Sequence, residues 1–177
     1  MAFFLLLPFL LISCASTILP DPQEGATSLL IGGCEFHWIP RGGNKKGGLE
    51  MTLEELVSGK HYQVTTDAEG YYFISNAPPG VYMVDLVKFS LSDGVSVEHQ
   101  PDVKLFIISP GKVHYLGRLI VEVDRSDLRN DFKYRAYEKF IAGDLRAEEI
   151  KKLVAGRRGN SGWLQKEISP ENELEKF

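Results

Sequence analysis

Cysteine and histidine are the side chains of this sequence best suited to nucleophilic, proton-transfer or metal chemistry, and they are few and dispersed. The two cysteines, Cys14 and Cys34, have no Cys-x-x-Cys spacing, and His37, His61, His99 and His114 form no His-Glu-x-x-His pair. Without a helical i, i+4 pair or a thiol cluster, no metal site is expected, and the histidines are assigned structural or surface roles. Gly159-Asn160-Ser161-Gly162 stops short of the Gly-x-Ser-x-Gly elbow that exposes a hydrolase serine. No Gly-rich loop ends in Lys-Ser or Lys-Thr to cradle a phosphate. Asp67 and Glu69 flank Ala68 before Gly70. Two carboxylates fall short of the roughly six to eight oxygens that calcium takes, and turn chemistry accounts for both. The expectation is a chain that is not an enzyme and carries no cofactor. Its 20 basic and 24 acidic residues leave no broad basic footprint for nucleic acid.

Cys14 has a distinctive setting. No charged residue lies between Ala2 and Ile12. That run is shorter than the roughly 20 apolar residues needed to span a bilayer and matches the hydrophobic region of a signal peptide. Leu11-Ile12-Ser13-Cys14 resembles the bacterial lipobox, in which a branched apolar pair and a small residue precede a cysteine that receives lipid. The resemblance implies that residues 1–13 are a signal peptide, that Cys14 is the lipidated first residue of the mature chain, and that two or three acyl chains, palmitate among them, hold it on the membrane. An ordinary secretory signal cut near Ala15 or Ser16 is the alternative. Either reading exports the protein. Lipidation places it in the bacterial cell envelope; in a Gram-negative cell the outer membrane is favoured over the inner, because Ala15 is not aspartate. Cys34 then has no disulfide partner and reads as a small buried hydrophobe.

The elements that must position any site follow from period and turn chemistry. Residues 14–27, with Pro20, Pro22 and Gly25, read as a flexible tether. Leu29 to Ile39 reads as a strand with a bulge or close approach at Gly32-Gly33, followed by a Gly/Lys loop. Thr52-Leu53-Glu54-Glu55 has capping-box spacing ahead of Gly59, which suggests a short helix; a strand is the rival. His61–Thr65, Tyr71–Ser75, Val81–Phe89, Leu105–Ile108 and Val113–Val123 read as strands separated by turns at Thr66–Gly70, Asn76–Gly80 and Pro110-Gly111. Leu128, Phe132, Ala136, Tyr137, Phe140 and Ile141 then recur at helical spacing between Ser126 and Ala142. Leu145, Ile150, Leu153 and Val154 do so again between Asp144 and Gly156. Residues 125–156 are therefore expected to form a helical pair and residues 157–177 a loose polar tail.

Thr66-Asp67-Ala68-Glu69-Gly70-Tyr71-Tyr72-Phe73, with Asn76-Ala77-Pro78-Pro79-Gly80-Val81-Tyr82 after it, resembles the carboxypeptidase regulatory-like domain, also described as transthyretin-like or prealbumin-like. Ile108 to Gly117 is similar to the last hairpin of such domains in bacterial lipoproteins. The resemblance covers residues 28–124 and implies a mainly β chain, an antiparallel Greek-key-type β-sandwich followed by short C-terminal helices. The longer loop after the first strand departs from the family pattern. On this reading Asp67 and Gly70 close one hairpin, and Pro78, Pro79 and Gly80 close the next. The strand period of two puts Tyr72, Ile74, Tyr82, Val84 and Leu86 on the core face and Tyr71, Phe73, Val81 and Met83 on the other. An opposite face so apolar should be covered, either by the helix over residues 126–142 or by a ligand or protein partner. The function expected is a non-catalytic, membrane-anchored binding or interaction module. The alternatives are a carbohydrate-binding module using exposed Tyr71, Phe73 or Trp38, and an accessory subunit of an envelope complex.

Overall fold

From Ser28 to Phe36 nine consecutive residues are buried, which a strand with one wet face cannot achieve. The reason is that β1 (Ser28–Ile39) lies inside its sheet and is covered on both faces. The computed structural model describes residues 18–23, 27–39, 43–90, 96–124 and 136–169, and within them the chain forms two stacked sheets. The larger sheet orders β10 (Ala136–Ile141), β9 (Val113–Asp124), β1 and β2 (Asn44–Lys45), with β5 (Tyr71–Ala77) also beside β1 and β11 (Ile168–Ser169) beside β9. The smaller orders β4 (Lys60–Thr65), β3 (Glu50–Glu55), β6 (Gly80–Ser90) and β7 (Ser96–His99), with β8 (Leu105–Ile108) also on β6. The fold is mainly β and sandwich-like, with one α-helix, α1 (Ala147–Ala155), among the described residues.

The inner core is drawn from both sheets. Leu30, Cys34, Phe36, Tyr72, Ile74, Leu119 and Val121 of the larger sheet share it with Met51, Leu53, Tyr82, Val84, Val87 and Phe106 of the smaller. Four of the five expected core side chains are buried; Leu86 is not, and Val87 takes its place. A bulge causes the slip. Thr52 pairs with Leu86 but Leu53 pairs with Val84, so Asp85 is extra and the side-chain alternation changes phase beyond it. At Gly32 a Cβ would lie 2.2 Å from the Tyr72 hydroxyl on the neighbouring strand, so the absent side chain makes room for that ring.

Several sequence expectations change. Glu50–Glu55 is a strand paired on both sides, not a helix. A one-turn helix cannot repay its nucleation cost, whereas Met51 and Leu53 alternate into the core. The sheets are not purely antiparallel, because β1 runs parallel to β9 along ten paired positions. The three turn motifs are not hairpins either. β4 and β5, β5 and β6, and β8 and β9 lie in different sheets, so each turn carries the chain across the sandwich. Ala136–Ile141 is a strand that pairs with β9, where a helix was expected. The free edge of β9 supplies a ladder of hydrogen bonds to that stretch, and Phe140 inserts beside Phe106 with ring centroids 5.8 Å apart. The earlier part of that expected helix, with Leu128 and Phe132, lies outside the described residues.

A third layer lies on the outer face of the larger sheet. Leu29, Ile31, Val113 and Tyr115 point outward and meet Leu19, Ile150, Val154 and Trp163 in a second apolar cluster. Ile150 and Val154 come from α1, which ends at Gly156 as expected but begins at Ala147 because Asp144 is engaged elsewhere. Leu19 belongs to the stretch read as tether and Trp163 to the stretch read as tail, yet both are about 1% exposed. The Trp163 indole donates to the Pro20 carbonyl at 2.7 Å, and the Leu19 N–H donates to the Arg158 carbonyl at 2.8 Å. β11 continues this layer alongside β9.

Candidate functional site

The four residues expected to share one apolar face lie on opposite sides of the molecule. β5 and β6 belong to different sheets, so Tyr71 and Phe73 look out from the larger sheet and Val81 and Met83 from the smaller. Tyr71 and Phe73 pack against the α1 cluster. The Arg118 guanidinium lies 5.0 Å from the centre of the Tyr71 ring and Arg157 4.8 Å from that of Phe73, so a cation occupies one face of each ring. Trp38 is half-buried and packs on the inner core. Those rings are therefore not a bare platform for stacking a sugar. Among the described residues the covering element is α1 together with Leu19 and Trp163, and Ala136–Ile141 of the expected covering helix is a strand instead.

Arg118 centres a dense polar cluster. β9 brings it opposite Gly33 of β1, whose missing Cβ leaves room for the arginine stem. Its guanidinium pairs with Glu35, donates to Asp144 at 3.0 Å and to the Tyr71 hydroxyl at 2.7 Å. Tyr115 donates to the other Asp144 oxygen at 2.7 Å. Glu35 also meets Lys46 at 3.2 Å and His37 at 3.1 Å. Burial works to raise the Glu35 pKa, but the hydrogen bonds from His37 and Lys46 and the charge of Arg118 outweigh it, leaving the carboxyl below its usual range. Burial, with the bond to Asp144, pushes the Tyr115 hydroxyl up. Arg118, Glu35 and Asp144 are thus tied to one another and to tyrosines, an arrangement that fixes the α1 layer to the sheet.

Next to this cluster a cleft of about 460 Å³ opens between α1 and the sheet, lined by Tyr71, Glu69, Glu149, Lys152, Leu153 and Arg157 among others. Its two carboxylates and two cations balance. Arg157 pairs with Asp67. On the far side of the molecule the smaller sheet carries a groove of about 300 Å³, lined by Glu50, Thr52, Gln63, Thr65, Lys88 and Glu98 along with Leu86. Beyond it on β6, Val81 and Met83 stand next to Ile107 and Leu105 of β8. Val81 and Met83 are half-buried and Ile107 is exposed.

The turn residues have local tasks. The Asp67 carboxylate accepts from the Glu69 and Tyr71 N–H groups at 2.9 and 3.0 Å, and Gly70 takes φ +90°, where a side chain would be strained. In the Pro78-Pro79-Gly80 corner Gly80 is not at positive φ; Asn76 is, at 57°. Gly80 is constrained by space, since a Cβ would lie 2.7 Å from the Glu55 carboxylate. That carboxylate accepts from the Val57 and Ser58 N–H groups in the β3–β4 turn. Cys14 lies outside the described residues. Cys34 is buried and its thiol pushed up to about 12, chiefly by burial. Among the described residues no group of three His, Cys, Asp or Glu side chains could hold a metal, and no helix is long and apolar enough to cross a membrane.

Arg118, Glu35, Leu19 and Trp163 were not singled out from the sequence, and Asp144 was read only as the start of a helix. The available signals were a charged residue in the middle of each of two largely apolar strands and a lone tryptophan in a polar stretch.

No family model matches the chain, and no curated protein matches it. Among solved structures it is similar to a Pseudomonas aeruginosa protein proposed to bind carbohydrate. The identity is 14% and the TM-score 0.37, covering 57% of this chain and 91% of that one.

Proposed function

We propose that this chain is a lipid-anchored envelope lipoprotein whose carboxypeptidase regulatory-like, Greek-key-type sandwich acts as a non-catalytic binding module. One observation carries the reading: the two outer faces of the sandwich differ. The apolar outer face of the larger sheet is packed by α1, Leu19 and Trp163, and the cleft beside them is lined by balanced charges, while among the described residues nothing packs over the groove of the smaller sheet, with Val81, Met83, Leu105 and Ile107 beside it. Two features support a non-catalytic role. Glu35, Arg118 and Asp144 are consumed in bonds to one another and to their neighbours, and the four histidines sit on separate elements. Export and lipidation are supported by the apolar leader and by Leu11-Ile12-Ser13-Cys14.

The ligand surface on this reading is the outer face of the smaller sheet, and a protein partner in an envelope complex suits its apolar end. A glycan is the second reading, favoured by the hydroxyl, amide and carboxylate side chains that line the groove. A photo-crosslinking residue at Thr52 or Met83 in intact cells should give discrete adducts, and one at Glu148 on α1 should not. Protein adducts would select the first reading, and glycan adducts the second. Adducts from α1 alone would overturn the assignment of the face.

A further inference from the structure

We infer that the third layer of the molecule, where Ile18, α1 and residues 157–166 meet, is seated directly on an anionic lipid headgroup layer. The inference rests on Cys14 carrying the lipid. Its structural basis is that the folded body begins much earlier than the composition of residues 14–27 suggests. Ile18 forms a bridge with Arg158. Leu19 is buried, and the Pro20 carbonyl is held by Trp163. Further on, the Asn76 side chain accepts from the Gln23 N–H at 2.8 Å and donates to the Asp21 carbonyl at 3.2 Å. The leash from Cys14 to Ile18 is therefore only four peptide steps, at most about 14 Å when fully extended at roughly 3.6 Å each. A lipidated Cys14 sits at the membrane surface, so Ile18 and its neighbours cannot stand far from it.

The chemistry of that surface suits the position. From Lys151 to Lys166 the sequence holds five basic residues and no acidic one. Arg157 is spent on Asp67, and Lys151 faces Glu148 at 3.2 Å. Lys152 and Arg158 are exposed and Lys166 half-exposed. The carboxylates on the same layer are Asp21, which lies beside Gly162, Glu148 and Glu149 on α1, which face Lys151 and Arg146, and Glu167, which Lys112 meets at 2.8 Å. Two exposed apolar side chains lie in the same layer, Ile18 at 67% and Leu164 at 38%. Basic and apolar side chains together on one surface are what binds an anionic interface. Each cation near it contributes about a fivefold gain, over a Debye length of about 8 Å. The layer order then turns the open groove of the smaller sheet away from the bilayer.

The test uses the full chain extracted from membranes, with acylation at Cys14 first read from intact mass. It is then reconstituted in vesicles of phosphatidylcholine with or without phosphatidylglycerol. Nitroxide labels are placed at Leu164→Cys and, on the opposite face, at Ser96→Cys; buried Cys34 does not compete for label. In phosphatidylglycerol vesicles the Leu164 label should be shielded from a water-soluble paramagnetic relaxer and the Ser96 label should not. Adding Lys152→Glu and Arg158→Glu should release the shielding. If the acylated chain leaves both labels equally open to water, or the double reversal changes nothing, the headgroup contact is wrong while the lipoprotein reading stands. An unacylated Cys14 overturns both.

Discussion

Replacing Trp163 by alanine tests whether the third layer belongs to the folded body. The indole is about 1% exposed, packs with Leu19, Ile150 and Val154 on the outward side chains of the larger sheet, and donates to Pro20 at 2.7 Å. Emptying such a site costs about 3–5 kcal/mol in transfer and cavity terms, and the lost hydrogen bond adds about 1 kcal/mol. The cavity opens towards the surface segment 18–23, which can partly collapse into it, so the expected net loss is about 4 kcal/mol. At roughly 2–4 °C per kcal/mol for a chain of this size, that corresponds to a fall in Tm of about 10 °C. Urea titration followed by circular dichroism measures it, and Trp163→Phe, which keeps most of the volume, should lose only about 1–2 kcal/mol. A Trp163→Ala midpoint unchanged within about 0.5 kcal/mol would refute the packing and return residues 157–169 to a tail.

The Glu35 carboxyl lies below its ordinary range in the folded chain, so the unfolded state binds more protons in that window. Its contribution is complete above the unfolded value of about 4.3 and is lost as pH falls through the lower folded value. Glu35→Gln should flatten the acid limb of a stability–pH profile, and an unchanged limb would show that Glu35 is not held ionised. Gly80→Val should destabilise by about 1–3 kcal/mol through overpacking, with part of the loss recovered when Glu55 is also cut to alanine; strictly additive losses would place the clash elsewhere. Cys34, with its thiol at about 12 and no exposure, should resist alkylation at pH 8 until the protein is unfolded, and rapid native labelling would contradict its burial.

Strands and turns were legible because alternation and Gly/Pro/Asp chemistry are local. Tyr72 and Tyr82 fell on the core side for that reason. Sheet membership was not legible. Asp67 to Gly70 and Pro78 to Gly80 specify a reversal of the chain, but not whether the next strand pairs with the last or crosses the sandwich. The crossing depends on β1 finding β9, a parallel pairing between Leu30 and His114 that no local pattern encodes. The split of Tyr71 and Phe73 from Val81 and Met83 follows from it. Tyr137, Phe140 and Ile141 fit helical spacing equally well until the free edge of β9 decides the matter. Glu35 and Arg118 left a trace, each a charge in the middle of a largely apolar strand and so in need of a partner. The partner Asp144 lay in a segment read as a helix cap. Leu19 and Trp163 pack across most of the length of the chain, and neither is part of a periodic run that would have flagged it.

The proposed attachment of the chain through Cys14 is tested most directly by the intact mass of the protein extracted from membranes. The expected species begins at Cys14, lacks residues 1–13 and carries diacylglyceryl mass, with or without a further acyl chain, while Cys14→Ala is neither lipidated nor cut at that bond. A wild-type chain that begins at Ala15 or Ser16 without acyl mass, or a Cys14→Ala chain that is processed identically and stays on the membrane, would contradict it.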